Sequence, residues 1–214
     1  MTRAVAVAVA VAVLVAAVAV SAAFGDGRMP MDPGMTMVGN QNDFPDVASA
    51  SRADIRRARD LRAAAWRVAP RFNTLAKARS LGYEAQRLFR PGISHLRKEH
   101  TRFWGRVFDP NAPHALLFWC PTRGACALVA FMYRAPPGKP PSTWGDLLSW
   151  HRHGRMGTWM THVWLTRHTR EALATCAPIQ ALAEARGITP ERYTHGGTSM
   201  VMPCSGQMPA MAMG

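Results

Sequence analysis

An α+β domain is the fold class this sequence predicts: N-terminal helices, a small antiparallel sheet, a C-terminal helix, and flexible tails at both ends. Three observations carry it. Ser51-Arg52-Ala53-Asp54 has the capping-box form and precedes Ile55, Ala58, Leu61, Ala65 and Val68, spaced by threes and fours. Two apolar runs, Leu116 to Trp119 and Ala127 to Tyr133, flank the Gly-containing turn Pro121-Thr122-Arg123-Gly124-Ala125 and read as a hairpin. Thr169 to Gly187 returns to helical composition, with Pro178 expected to split it.

The segments divide as 1–23, 24–50, 51–193 and 194–214. Arg3, the apolar run Ala4 to Val20 and the small residues Ser21-Ala22-Ala23 have the form of an export signal, with Ala23 the last residue removed. The rival reading is an uncleaved membrane anchor, because Ala4 to Phe24 approaches the roughly 20 residues that span a bilayer. Residues 24–50 are rich in Gly, Pro, Asp, Asn and Met without periodicity, which predicts a flexible tether. The folded domain follows. Its first helix is expected to end before Pro70, and a second to run from an Asn73 cap through Leu75, Ala78 and Leu81 to Gly82. Beyond Pro91 the pattern becomes β-like: Phe103 to Phe108 as a strand, Asp109 to Pro113 as a turn, then the hairpin. Pro136 to Pro141 is a rigid connection, and Leu147 to His153 and Met160 to Leu165 are further strands. Residues 194–214 return to Gly, Ser, Pro and Met as a second tail.

The formal net charge is +13, from 26 Lys and Arg against 13 Asp and Glu. Clustered cations attract phosphate, yet export argues against nucleic acid as the partner. Anionic envelope polymers or a lipid surface fit the same charge. Four cysteines, Cys120, Cys126, Cys176 and Cys204, suit an oxidising compartment. Of the three possible pairings, Cys120 with Cys126 across the hairpin and Cys176 with Cys204 at the C-terminus is the one the predicted elements favour; free or metal-bound thiols are the alternatives.

Two features could carry chemistry. His151 and His153 alternate so that a strand would point both to one face, and His162 lies on the next extended segment, within reach if the two pair. Two His at i and i+2 with a third from a neighbouring strand can ligate copper or zinc, and His95 and His100 could add a donor. Packing is the competing explanation for these rings. Gly145, five residues and His151-Arg152-His153 match the opening of the first cupin motif, but no Glu follows between Gly154 and Thr158, and His95 to His100 lacks zincin spacing. The second feature is methionine: Met29, Met31, Met35 and Met37 before the domain, and Met200, Met202, Met208, Met211 and Met213 after it, account for nine of 13. Thioether sulfur prefers Cu(I) to harder ions. Compositional drift or an oxidant sink are the alternatives.

Residues from about 75 to 178 resemble a group of uncharacterised secreted bacterial proteins. The shared marks are Leu81-Gly82-Tyr83, His95-Leu96, the Leu128-Val129 to Tyr133 strand, Trp150-His151 with His153, His162-Val163-Trp164-Leu165 and Cys176-Ala177-Pro178. The resemblance implies fold and export, and no reaction. Thr169-Arg170-Glu171 stands where that group has an Asn-Pro-Gly turn. Met29-Pro30-Met31-Asp32-Pro33-Gly34-Met35-Thr36-Met37 resembles the Met-rich segments of bacterial periplasmic copper-resistance proteins, which implies copper capture.

The expected function is therefore an exported, periplasmic or extracellular protein that binds copper, with zinc as the alternative ion. Two other classes stay open. One is a metal-dependent envelope enzyme with a His-ligated open position, Asp146 and Glu99 being the nearest acid/base candidates. The other is an envelope interaction module without metal. No Gly-x-Ser-x-Gly elbow, phosphate loop or dinucleotide fingerprint is present, which argues against serine and nucleotide-cofactor enzymes.

Overall fold

The computed structural model describes residues 35–85, 92–98, 107–122, 125–153, 157–188 and 203–204. The predicted signal, Met29, Met31, His100, Met200, Met202, Met208, Met211, Met213 and all but the last two residues of the expected 103–108 strand lie outside them.

Seven strands make one antiparallel sheet: β1 (Met35–Gly39), β2 (Tyr83–Ala85), β3 (Gly92–Lys98), β4 (Ala115–Thr122), β5 (Ala125–Ala135), β6 (Ser149–His153) and β7 (Trp159–Trp164). Their order is β1-β6-β7-β5-β4-β3-β2. The sheet is larger than predicted, so the protein is mixed α/β and dominated by strands. The helices also fall differently: α1 (Arg52–Val68) and α2 (Leu75–Ser80) lie between β1 and β2, while α3 (Thr169–Ala172) and α4 (Ile179–Arg186) follow β7. None of the described helices is long and apolar enough to cross a membrane.

Local sequence explains the helix ends. The Ser51 hydroxyl accepts from the Asp54 N–H, and Ala58, Leu61 and Ala65 form the buried stripe of α1. A 3-10 turn at Ala69–Arg71 follows, with Pro70 in its first turn. The cap of α2 is Thr74, whose hydroxyl accepts from the Lys77 N–H; the Asn73 side chain instead accepts from Lys77 Nζ. The segment splits into two helices as expected, though α3 ends at Ala172, six residues before Pro178, which instead stands at the N-cap of α4; Gly187, at φ +66°, closes α4 in the left-handed region that glycine enters without steric cost.

Met35 to Gly39 belongs to the sheet rather than to a free tether. It pairs with β6 from Met35↔His153 to Gly39↔Ser149. The Met-Thr-Met-Val run carries no charge and fits a pleated edge, but its Gly and Pro neighbours hid that in composition. Gly39 ends the strand at φ +86°, where a Cβ would meet the Leu148 carbonyl. Among the predicted C-terminal tail residues, Pro203 bridges to Ala177 and Cys204 is fully buried.

Both predicted disulfides form. Cys120–Cys126 links β4 to β5, with Cα atoms 4.2 Å apart, and Cys176–Cys204 spans 28 residues at 4.9 Å. The hairpin turn is tighter than predicted, since Thr122 still pairs with Ala125.

Each sheet face is covered. α1, the 3-10 turn and α2 pack on Leu96, Leu116, Phe118, Leu128, Phe131, Tyr133 and Val163, and Phe72 meets Tyr83 and Phe131 edge-on at 5.7 and 5.6 Å. The opposite face carries Ile93, Leu117, Trp119, Ala130, Met132, Met160 and Trp164 beneath Ile179, Leu182 and the Cys176–Cys204 bridge. Side chains of this size each contribute roughly 1.5–3 kcal/mol when fully buried. Two bonds hold that cover in place: Trp164 Nε1 donates to the Ala174 carbonyl at 2.9 Å, and Arg186 Nε donates to the Leu128 carbonyl at 2.9 Å.

Candidate metal centre

Side chains alternate along a strand and directly opposed residues share a face, so register alone assigns every strand residue to one side. His151 and His153 on β6 point the same way. His151 pairs with Met160 of β7, which puts Met160, His162 and Trp164 on that side too. Ladder pairs carry the face onward: His162↔Met132 and Trp164↔Ala130, then Ala130↔Leu117, then Leu117↔His95. Four imidazoles from three strands therefore share the face that α4 covers in part.

They also meet. Ring centres are 5.6 Å apart for His151 and His153, 5.2 Å for His151 and His162, and 6.0 Å for His95 and His162. β3 and β7 are three strand spacings apart, about 14 Å on a flat sheet. Rings 6.0 Å apart across that gap must lean toward one another over β4 and β5, where Leu117 stands opposite His95 and Met132 opposite His162. An ion about 2.0–2.1 Å from a ring nitrogen stands roughly 3.2 Å from the ring centre. Two imidazoles sharing it at a tetrahedral angle then have centres about 5.2 Å apart, and at a linear angle about 6.4 Å. The neighbouring pairs fall within that interval.

Burial sets the protonation state. His151 and His95 are pushed down to about 4, mainly by loss of hydration and further by His153 for the first and by Arg97, His151 and His153 for the second. His162 is held well below 6.5 by desolvation and then by His151, His95 and His153. At neutral pH these three rings are neutral, the form that binds metal. His162 is 8% exposed, and its Nε2 is buried with no hydrogen-bond partner. A buried orphan nitrogen of this kind costs about 1–3 kcal/mol, and a ligand would relieve it.

The rings form a row, His95–His162–His151–His153, rather than a closed triad. Among the described residues, the group of three His, Cys, Asp or Glu donors lying within 4.8 Å of one another is Asp43, Cys176 and Cys204. Its sulfurs are joined in the disulfide, so that group offers no thiolate. Thioethers flank the row: Met35↔His153, Met37↔His151, His151↔Met160 and Met132↔His162 are direct cross-strand pairs.

Charge on this face is positive. Arg97 and Arg134 project from it, and burial lowers the pKa of both, with Arg97 adding to the effect on Arg134. Within the seven strands the single carboxylate is Glu84, opposite Arg97 on the edge strand β2 and exposed. Such surroundings favour a singly charged ion over a doubly charged one, because each added positive unit meets both guanidinium groups.

The structure brings His95, His151, His153 and His162 together, and adds Met35 and Met37 from the expected tether. His100 and the other seven predicted methionines are outside the described residues. Sequence reasoning missed Met160 and Met132. The i, i+2 spacing of Met160 and His162 was the one local signal available. Asp146 is not on the row: it sits in a left-handed turn at φ +63°, with Thr143 donating to its carboxylate at 3.1 Å. No family model, no curated protein and no solved structure matches the chain.

Proposed function

We propose that this is an exported metal-binding protein that captures copper through its imidazole face, assisted by its Met-rich ends. The observation that carries the reading is the buried, unpartnered Nε2 of His162, set between His151 and His95 at ring distances an ion could bridge. Neutral imidazole and thioether donors, with guanidinium groups nearby, favour copper over zinc, which draws harder or anionic ligands. Two disulfides suit an oxidising compartment. The ion is cargo in this reading, and among the described residues no carboxylate lies on the strands that carry the row. Elemental analysis of protein purified from its native envelope tests it. Stoichiometric copper that is lost in a His151→Ala, His162→Ala double variant is expected; a metal-free protein that also fails to load copper in vitro would overturn it.

A second reading has its own support. Helix α1 exposes Arg52, Arg56, Arg57, Arg59 and Arg67 along its length, together with Trp66, the one large exposed hydrophobic residue among those described. That surface suits anionic envelope polymers or lipid headgroups. Sedimentation with anionic phospholipid vesicles, weakening as salt rises, would support it; equal binding to neutral vesicles would not.

A further inference from the structure

The Met-rich run before the domain and the His-Met pattern of β7 are far apart in sequence, yet register joins them. Met37 lies directly opposite His151, and His151 directly opposite Met160. Three consecutive strands, β1, β6 and β7, thus present Met37, His151 and Met160 in one line across the sheet. Opposed residues have Cβ atoms about 4.5–5.5 Å apart and project to the same side. His162 follows Met160 by two residues, its ring 5.2 Å from that of His151 and its Nε2 buried without a partner.

We infer that Met37, His151, Met160 and His162 form the primary seat for one Cu(I) ion, and that β1 is a ligand-bearing clasp tightened onto β6 by the ion. The inference rests on the copper reading above and sharpens it to an oxidation state, a donor set and a moving part. Two soft thioethers and two neutral imidazoles match Cu(I), and no carboxylate lies in the line to favour a harder, doubly charged ion. β1 is five residues long and, among the described strands, pairs only with β6, so a bond from Met37 to the ion adds materially to what holds it. The ion enters and leaves as Cu(I), and no electron is transferred.

The test is anaerobic titration of the full mature chain, disulfides intact, with Cu(I) supplied from a chromophoric chelator. The variants are Met37→Leu, Met160→Leu, and a third with Met29, Met31, Met200, Met202, Met208, Met211 and Met213 all changed to Leu. Affinity should fall about tenfold or more in each single variant, at least what a metal site loses when a supporting group is removed. Sulfur scattering in the copper X-ray absorption spectrum should fall with it, while the seven-residue variant keeps the tight site. Hydrogen exchange at the β1 amides should slow when Cu(I) is added. Met37 is half-buried on an edge strand, so its variant reports on the site even if Met160→Leu disturbs packing. Tight binding that survives both single variants and vanishes in the seven-residue variant would overturn the inference while leaving copper capture standing. Unchanged β1 exchange would overturn the clasp. A parent chain that binds no Cu(I) would overturn both readings.

Discussion

Replacing His162 with Leu separates a ligand from a packing residue, because the two roles predict opposite outcomes. In the metal-free protein His162 is 8% exposed with an orphan Nε2, and removing that nitrogen recovers the roughly 1–3 kcal/mol that a buried unpartnered group costs. Leu is of similar volume, and a swap of this kind loses less than about 1.5 kcal/mol to shape mismatch. The net change therefore lies between about 0.5 kcal/mol against the variant and about 3 kcal/mol in its favour. For a chain of this size that is a shift of between roughly −2 and +12 °C in Tm. On the copper reading proposed above, the ion would act in the other direction. An ion at a hundred times its Kd adds about 2.7 kcal/mol to the parent, or roughly 5–11 °C, and should add little to the variant. Calorimetry of both proteins under anaerobic conditions, with and without Cu(I), reads all four states. A copper-induced rise equal in parent and variant would refute the reasoning. So would a metal-free variant less stable than the parent by more than about 2 kcal/mol, which would mark the imidazole as a structural partner.

Acid should destabilise the fold before its carboxylates titrate. His114 is pushed down to about 4 by burial and then by Arg134, and its Nδ1 accepts the Arg134 N–H at 3.2 Å. The unfolded chain binds this proton near pH 6.5 and the folded chain near 4, so stability is intact above 6.5 and declines as pH falls toward 4, by up to about 3 kcal/mol for this residue. Urea unfolding at pH 7 and pH 5 checks the sign; equal midpoints would contradict it. The two disulfides should differ in worth. Loop-closure entropy assigns about 3–4 kcal/mol to the 28-residue span of Cys176–Cys204 and about 2 kcal/mol to the six-residue span of Cys120–Cys126. Ser pairs at each bridge, compared by urea unfolding, should rank in that order.

Local signals carried the helices, the hairpin and the cysteine pairing. Ser51 with Asp54, Pro178, and the apolar runs around Cys120 and Cys126 act through neighbours a few residues away, which is why they could be read directly. The alternation of His151 and His153, and the pairing of their strand with the one bearing His162, were legible for the same reason. What stayed hidden was non-local. No periodicity in Met35-Thr36-Met37-Val38 announces that its partner strand begins at Ser149, and Gly and Pro nearby made the segment look like a tail. His95 reaches His162 only because the sheet brings β3 and β7 to bear on one another across two other strands. A site assembled by register cannot be located from spacing along the chain.

The position of β1 also fixes an order of assembly. Met35–Gly39 emerges early in synthesis, but the strand that receives it is more than a hundred residues downstream, and β7 comes later still. Until that late hairpin exists, the early methionines have no imidazole opposite them. On the copper reading proposed above, a nascent chain would be poor at trapping a soft ion until β6 and β7 have both emerged.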